Sequence, residues 1–237
     1  MSRIRSLDPS VLSRTLESAR AQEGGVVVFD LDSTLLDNRP RQALILREFG
    51  AARGVAPLIG ARPEHWESWD IKHAMHNAGL SHDEVERWAE DAKTWWRDRF
   101  FTSEYCEIDE PIPGALEFVA AIARTGATIV YCTGRHEAMR SGTVACFTRL
   151  GFPVPGPSVQ LLMKPTFEQP DDDWKAAAYA RLRALGTVVA AFDNEPTHVN
   201  GYHGAFPDAL CVHLATDDSG RPVPLSPNIP SIQNFLR

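Results

Sequence analysis

Hydrophobic and polar positions along this chain fall into two patterns, one of helical period and one of short continuous apolar runs. The switches between them mark the elements. Residues 8–22, DPSVLSRTLESARAQ, keep helical spacing after an Asp8-Pro9 start and stop at Gly24-Gly25. Val26 to Asn38, VVVFDLDSTLLDN, opens with four apolar residues and runs into two aspartates, the pattern of a strand buried on both faces of a parallel sheet. Asn38-Arg39-Pro40 breaks it, and RQALILREFGAARG reads as a helix stopped by Gly54. SHDEVERWAEDAKTWWRDRF is a further helix, opened by a capping box of Ser81 and Glu84. No convincing strand pattern occurs between about 39 and 109.

After Pro111-Ile112-Pro113-Gly114 the alternation becomes regular. ALEFVAAIARTG predicts a helix, ATIVYCTGR a strand, HEAMRSGTVACFTRLG a helix, VQLLMK a strand and DDDWKAAAYARLRALG a helix; TVVAAFDNEP and DALCVHLA are two more strands. This order predicts an α/β fold: a Rossmann-like parallel sheet with helices on both faces and right-handed crossovers. The helical block interrupts it right after the first strand. Residues 39–109 are therefore read as an inserted α-helical cap, and residues 1–38 and 110–237 as the core. Five of the six tryptophans lie between Trp66 and Trp96, where packing a small subdomain is a better use for them than caging a ligand. RPVPLSPNIP near the end reads as a surface strap.

Composition mainly excludes. With 43% hydrophobic and 23% charged residues the chain is of ordinary globular type. A net charge of -7 argues against a broad nucleic-acid-binding face, though not against a local basic pocket. Cys106, Cys132, Cys146 and Cys211 form no CxxC and are read as reduced core thiols. No run has the length of a signal peptide or a membrane span, so a cytoplasmic location without a membrane partner is expected, and no obligate protein partner is evident.

Three predicted strands end in polar groups: Asp30-Leu31-Asp32, Thr133-Gly134-Arg135 and Asp193-Asn194-Glu195. Open α/β sheets place their ligand sites at such ends. Asp30 and Asp32 are two apart and point the same way on a strand, where like charges call for a hard divalent cation between oxygen ligands. Lys175 opens the helix before the last of these strands. A nucleophile, a cation and donors to equatorial oxygens are what a phosphoryl group requires.

In these motifs the chain resembles the haloacid dehalogenase-like superfamily of phosphotransferases, over essentially its whole length. FDLDSTL is similar to its first motif, YCTGR to the second, Lys175 to the third and FDNEP to the fourth. The resemblance implies Asp30 as the nucleophile that forms an aspartyl-phosphate, and Asp32 as the acid and base. It implies Thr133 as a phosphate ligand, and Mg²⁺ held by Asp30, the Asp32 carbonyl and Asp193. Lys164-Pro165 and Lys175 compete for the motif lysine. Lys175, 18 residues before Asp193, is favoured because it begins a helix and can reach both nucleophile and phosphate. That spacing, with TGRHEAMRSGT, LLMKP and DDDWK, resembles the phosphatase half of polynucleotide kinase-phosphatases, although no P-loop GxxxxGK[ST] is present. Thr133, Gly134, Arg135 and Lys164 then become candidates for substrate contact; for Arg135 and Lys164 the alternative is a surface cation.

One departure from pattern is Asn194, where many relatives carry a second acid; its carbonyl is expected to hold a metal-bound water from outside the ligand shell. Glu195 is an outer acid or a helix-start acid. His136, His198 and His203 are expected to be structural, and Arg39 and Arg41 to lean over the site or to pair locally. The function implied is a Mg²⁺-dependent phosphatase acting on a small phosphorylated substrate, with a nucleic-acid 3′-phosphate kept open. A phosphomutase on the same site and a non-catalytic phosphate-binding module are the alternatives.

Overall fold

The computed structural model of the chain describes residues 7–236. The expected core limits at residues 1–6 and 237 lie outside them. Helix α1 (Ser10–Ala21) leads into strand β1 (Gly25–Phe29) and then a two-residue strand β2 (Leu36–Asp37). Five helices follow: α2 (Arg39–Arg53), α3 (Ala56–Ile59), α4 (Ile71–Asn77), α5 (His82–Phe100) and α6 (Ser103–Cys106). Strand β3 (Glu110–Pro111) returns the chain to the core, which continues as α7 (Ala115–Ala123), β4 (Thr128–His136), α8 (Arg140–Leu150) and β5 (Val159–Lys164). It ends as α9 (Asp171–Leu185), β6 (Thr187–Asp193), α10 (Pro196–Ala205), β7 (Leu210–Leu214) and β8 (Ser231–Ile232).

The main sheet is parallel throughout, in the order β5-β4-β1-β6-β7-β8. From β1 the chain builds outward on one side through β4 and β5, then crosses to the other through β6, β7 and β8. The strand order thus reverses beside β1, and such a point opens a crevice at the carboxyl ends of the strands. Alternation along β1 explains its unbroken apolar run. Val27 and Phe29 pack with Leu16 of α1, Phe118 of α7 and Phe147 of α8; Val26 and Val28 pack with Trp174 of α9 and Tyr202 of α10. Burying each such side chain contributes roughly 1.5–3 kcal/mol.

The helical insertion has its own core, which includes Phe49, Leu58, Trp66 and Met75. Trp88 and Trp95 meet Phe49 edge-on at 6.1 and 6.0 Å, so these tryptophans pack as expected. At the base of the insertion β2 and β3 pair antiparallel, Leu36 with Pro111 and Asp37 with Glu110. A second anchor joins α6 to α8, where the Gly142 N–H donates to the Ser103 hydroxyl at 3.1 Å. A Cβ at Gly142 would sit 1.9 Å from the Ser103 carbonyl oxygen, so only glycine permits this approach.

Several boundaries differ from the sequence expectation. Helix α2 begins at Arg39 and takes Pro40 into its first turn, where the missing N–H has no helical partner to lose. Strand β4 runs on through Arg135 to His136, and a 3-10 turn at Glu137–Met139 precedes α8. Helix α10, PTHVNGYHGA, was not anticipated: its residues are weak helix formers, and burial of Val199 and Tyr202 decides the conformation. Residues 221–230 form no helix or strand, and the chain after them adds what the pattern did not show: β8 extends the sheet beside β7 and Phe235 stacks on Phe118 at 5.3 Å. All four cysteines are free and buried. Among the described residues no helix is long and apolar enough to cross a membrane.

Candidate active site

Strand β1 ends in a sharp turn that fixes both aspartates. The Asp30 N–H donates to the Phe192 carbonyl at 2.9 Å and so continues the sheet for one more residue. The Leu31 carbonyl then accepts from the N–H groups of Thr34, Leu35 and Leu36 at 3.1, 2.9 and 2.9 Å. Ser33 takes a left-handed φ of 56°, the only positive value at a non-glycine among the described residues. Such a conformation costs on the order of 1 kcal/mol and persists only where its surroundings impose it. Here the Ser33 carbonyl is gripped by the Thr216 hydroxyl.

Asp30 and Asp193 lie at the ends of the neighbouring strands β1 and β6 and share one ammonium. Lys175 Nζ donates to Asp30 Oδ1 at 2.7 Å, to Asp193 Oδ2 at 2.9 Å and to the Cys132 carbonyl at 2.6 Å. All three of its hydrogens are thereby committed, so contact with a phosphate would require one partner to release it. Burial pushes the Asp30 carboxyl up to about 7, with Lys175 opposing and Asp193 adding to the rise. Burial also acts to raise Asp193, but Lys175 and His198 outweigh it and hold Asp193 well below the usual carboxylate range. His198 Nδ1 lies 3.5 Å from Asp193 Oδ1, and its Nε2 lies 2.9 Å from Asp172.

Asp32 belongs to a separate cluster. Arg135 grips it with Nε on Oδ2 at 2.9 Å and Nη2 on Oδ1 at 2.7 Å, and Arg41 adds Nη2 on Oδ1 at 2.8 Å. Both guanidiniums also meet Asp109: Arg135 Nη2 lies 2.5 Å from Oδ2 and Arg41 Nε 3.0 Å from Oδ1. Burial acts to raise the Asp32 carboxyl, but Arg135 and Arg41 outweigh it and hold the group well below the usual range. Burial pushes Asp109 up against the same two cations. Of the two expectations for Arg135, the surface cation is corrected here. Its side chain is 1% exposed and its donors go to Asp32, Asp109 and Thr143, because a buried guanidinium must satisfy its donors within the protein.

The other residues singled out in the sequence lie nearby with different partners. Thr133 is buried, its hydroxyl accepting from the Arg135 N–H at 3.2 Å and its carbonyl from Trp174 Nε1 at 2.9 Å. Gly134 lies against the Asp171 carboxylate, which a Cβ there would approach to 2.7 Å. Lys164 donates to that same carboxylate at 2.7 Å and to the Phe167 carbonyl at 3.2 Å. Asn194 joins two loops at the cavity wall: it accepts from the Thr34 hydroxyl at 3.2 Å and donates to the Asp217 carbonyl at 2.6 Å. Glu195 accepts from the Ser219 N–H and hydroxyl at 3.0 and 2.9 Å. His136 Nε2 meets the Phe101 carbonyl at 3.1 Å, and Arg39 pairs with Asp37 at 2.7 Å.

Asp30, Asp32, Thr133, Lys175 and Asp193 converge on one cavity of about 610 Å³, which Gly134, Arg135, Lys164, Asn194 and His198 also line. Asp109 went unread in the sequence because it lies alone in a loop, and Asp171 because it reads as a helix-start acid. Among the described residues no three His, Cys, Asp or Glu side chains cluster to hold a metal. The donors at hand are two carboxylates, Asp30 and Asp193, with the Asp32 carbonyl next along the chain. A hard cation that keeps several waters, such as Mg²⁺, suits that oxygen set. Two buried carboxylates on one ammonium leave oxygen donors to spare, so the residues present fit such an ion.

Solved structures with this fold include protein tyrosine kinase A of Mycobacterium tuberculosis, at TM-score 0.55 and 17% identity over 89% of this chain and 94% of that one. A predicted phosphoglycolate phosphatase from Haemophilus somnus gives 0.51 and 14% over 89% and 94%. A haloacid dehalogenase-like hydrolase from Streptococcus pneumoniae gives 0.50 and 10% over 87% and 92%. At these identities the likeness is one of fold. No curated protein matches the sequence. The family model for haloacid dehalogenase-like hydrolases matches residues 25–158, more than half of the 237 residues, and the chain belongs to that family.

Proposed function

We propose that the protein is a Mg²⁺-dependent phosphatase that hydrolyses a phosphate monoester through an aspartyl-phosphate on Asp30. The observation that carries this reading is the pair of carboxylates, from two adjacent strand ends, on one buried ammonium at the floor of a cavity. With Oδ1 anchored by Lys175, the second oxygen of Asp30 is left to attack phosphorus. The P–O bond to the alcohol breaks and the alcohol oxygen takes a proton; water then attacks the acyl phosphate, giving inorganic phosphate and restoring Asp30. Thr133, whose hydroxyl accepts from a backbone N–H, keeps its own O–H to donate to a phosphate oxygen. Mg²⁺, held by Asp30, Asp193 and the Asp32 carbonyl, would neutralise the nucleophile and the phosphate. Residues 39–109 would act as the cap over this cavity.

Asp32 is assigned the proton transfers, and its surroundings divide the two. Held as a carboxylate by two guanidiniums, it suits the base that activates water. Acting as acid toward the leaving oxygen requires it to turn away from Arg41 and Arg135 and take up a proton first. The test is phosphate release from a generic aryl phosphate with Mg²⁺, repeated with EDTA and with Asp30→Asn. Borohydride reduction of quenched enzyme, followed by mass mapping of residue 30, reads the acyl phosphate directly. Release that persists in Asp30→Asn would sink the mechanism.

A further inference from the structure

The lining of the cavity carries an unbroken run of rings. Trp69 meets Phe100 at 5.5 Å, Phe100 meets Phe101 at 5.1 Å and Phe101 meets Phe167 at 4.9 Å, and all four line the cavity. Three come from the insertion, and Phe167 comes from the loop after β5. Phe167 is 41% exposed, a large ring left partly open beside the charged floor. Such faces bind planar rings by stacking, with little demand on sequence or hydrogen bonding.

Charge in the same cavity sets a second condition. Every cation of the lining already has carboxylate partners: Lys175 with Asp30 and Asp193, Arg135 with Asp32 and Asp109, Lys164 with Asp171. Glu168 adds further negative charge to the wall, whereas Glu195 is paired with Arg221 at 3.2 Å. A second phosphate on the substrate would meet these acids with no unpaired lining cation to receive it. A polynucleotide backbone is worse placed, because strands are held along tracks of Lys and Arg. The volume, about 610 Å³, is that of a small-molecule site.

We infer that the substrate is a phosphate monoester of a small alcohol bearing a planar ring and no second anionic group. This rests on the phosphatase reading and narrows it, setting aside the nucleic-acid 3′-phosphate left open by the motifs. The test compares kcat/KM for a nucleoside 3′-monophosphate, the matching 3′,5′-bisphosphate, an oligonucleotide 3′-phosphate and glycerol phosphate. The ring-bearing monophosphate is expected to lead each of the other three by about tenfold or more. Phe167→Ala should shrink its lead over glycerol phosphate about tenfold, mostly through KM, and Glu168→Lys should shrink its lead over the bisphosphate. Calorimetric binding of the same compounds to Asp30→Asn gives a readout that needs no turnover and should show the same order. Preference for the bisphosphate, the oligonucleotide or glycerol phosphate, or a Phe167→Ala enzyme of unchanged selectivity, would overturn the inference. Absence of turnover on all four would instead count against the phosphatase, and the binding order alone would then decide the substrate class.

Discussion

Asp30 and Asp32 are separated by one residue and belong to two buried charge clusters of opposite design. The first, Asp30 with Lys175 and Asp193, is assembled wholly from the core and sets two carboxylates against one ammonium. The second, Asp32 and Asp109 with Arg41 and Arg135, sets two against two and straddles the boundary: Arg41 stands on the first helix of the insertion and Asp109 follows its last. The unbalanced cluster has room for one more positive charge, which is a reason to bind a cation. The balanced cluster is complete within the protein. It ties both ends of the insertion to the proposed acid and base. Imbalance thus marks the proposed chemical centre, and balance marks the joint.

Asp30→Asn tests the unbalanced cluster most severely. Turnover should fall on the order of 10⁴-fold or more, as loss of a covalent nucleophile does. Thermal unfolding should stay close to wild type, since removing one of two like charges on a single ammonium leaves no carboxylate unpaired. A large loss of stability together with activity would mean that Asp30 is structural.

Lys175→Met should have the next largest effect. It strips the shared ammonium from two buried carboxylates and leaves Asp30 with none, His198 standing beside Asp193 alone; breaking a buried pair in this way costs about 3–5 kcal/mol, read in urea unfolding. The comparison sharpens if Mg²⁺ is added. Saturating ion, at a hundred times its Kd, should stabilise the wild type by about 2.7 kcal/mol, and Asp193→Asn should lose that increment. A wild type whose midpoint ignores Mg²⁺ would leave the spare negative charge without the occupant assigned to it.

These two clusters were not equally legible in the sequence. Asp30 and Asp193 could be placed because each stands at a strand end, and Thr133 and Lys175 because each lies near the end of a regular element, toward the close of β4 and in the first turns of α9; a parallel sheet brings its strand ends together whatever the side chains are. The partners of Asp32 could not. Arg41 and Asp109 are 68 positions apart, and their meeting depends on how the insertion folds back, which no local period encodes. Helix α10 and strand β8 escaped for a related reason: tertiary burial of Tyr202, Ser231 and Ile232 overrides weak local preference. Phe167 reads as a loop residue until Phe101 of the insertion is seen packed on it.

In the balanced cluster Arg41→Ala should cost about 3 kcal/mol, at the low end for buried pairs because Arg135 still holds both carboxylates. The sign of its pH effect follows from Asp32. A carboxyl held low in the folded state contributes stability that is present above its unfolded pKa of about 3.9 and is lost as pH falls through the folded value. Removing one guanidinium lets the Asp32 pKa rise, so the loss of stability between about pH 5 and 2 should become shallower in the variant. The acid limb of kcat/KM should move to higher pH for the same reason. Unfolding midpoints and pH-rate profiles read the two effects separately, and a steeper acid loss in Arg41→Ala would refute the pairing.

Arg39 gives the smallest effect and the sharpest contrast, because it stands two residues from Arg41 in the same first turn of α2. Its guanidinium pairs with Asp37 but is 43% exposed, whereas the Arg41 side chain is fully buried. Solvent screens such a pair and its long side chain loses rotamer freedom to make it, so Arg39→Ala should cost between about 0 and 1 kcal/mol and less still at high salt. The pH profile should keep its wild-type acid limb, since Arg39 makes no contact with Asp32. If Arg39→Ala proved as damaging as Arg41→Ala, the sensitivity would belong to the whole entry turn of the insertion. The four-membered cluster would then lose its standing as the joint.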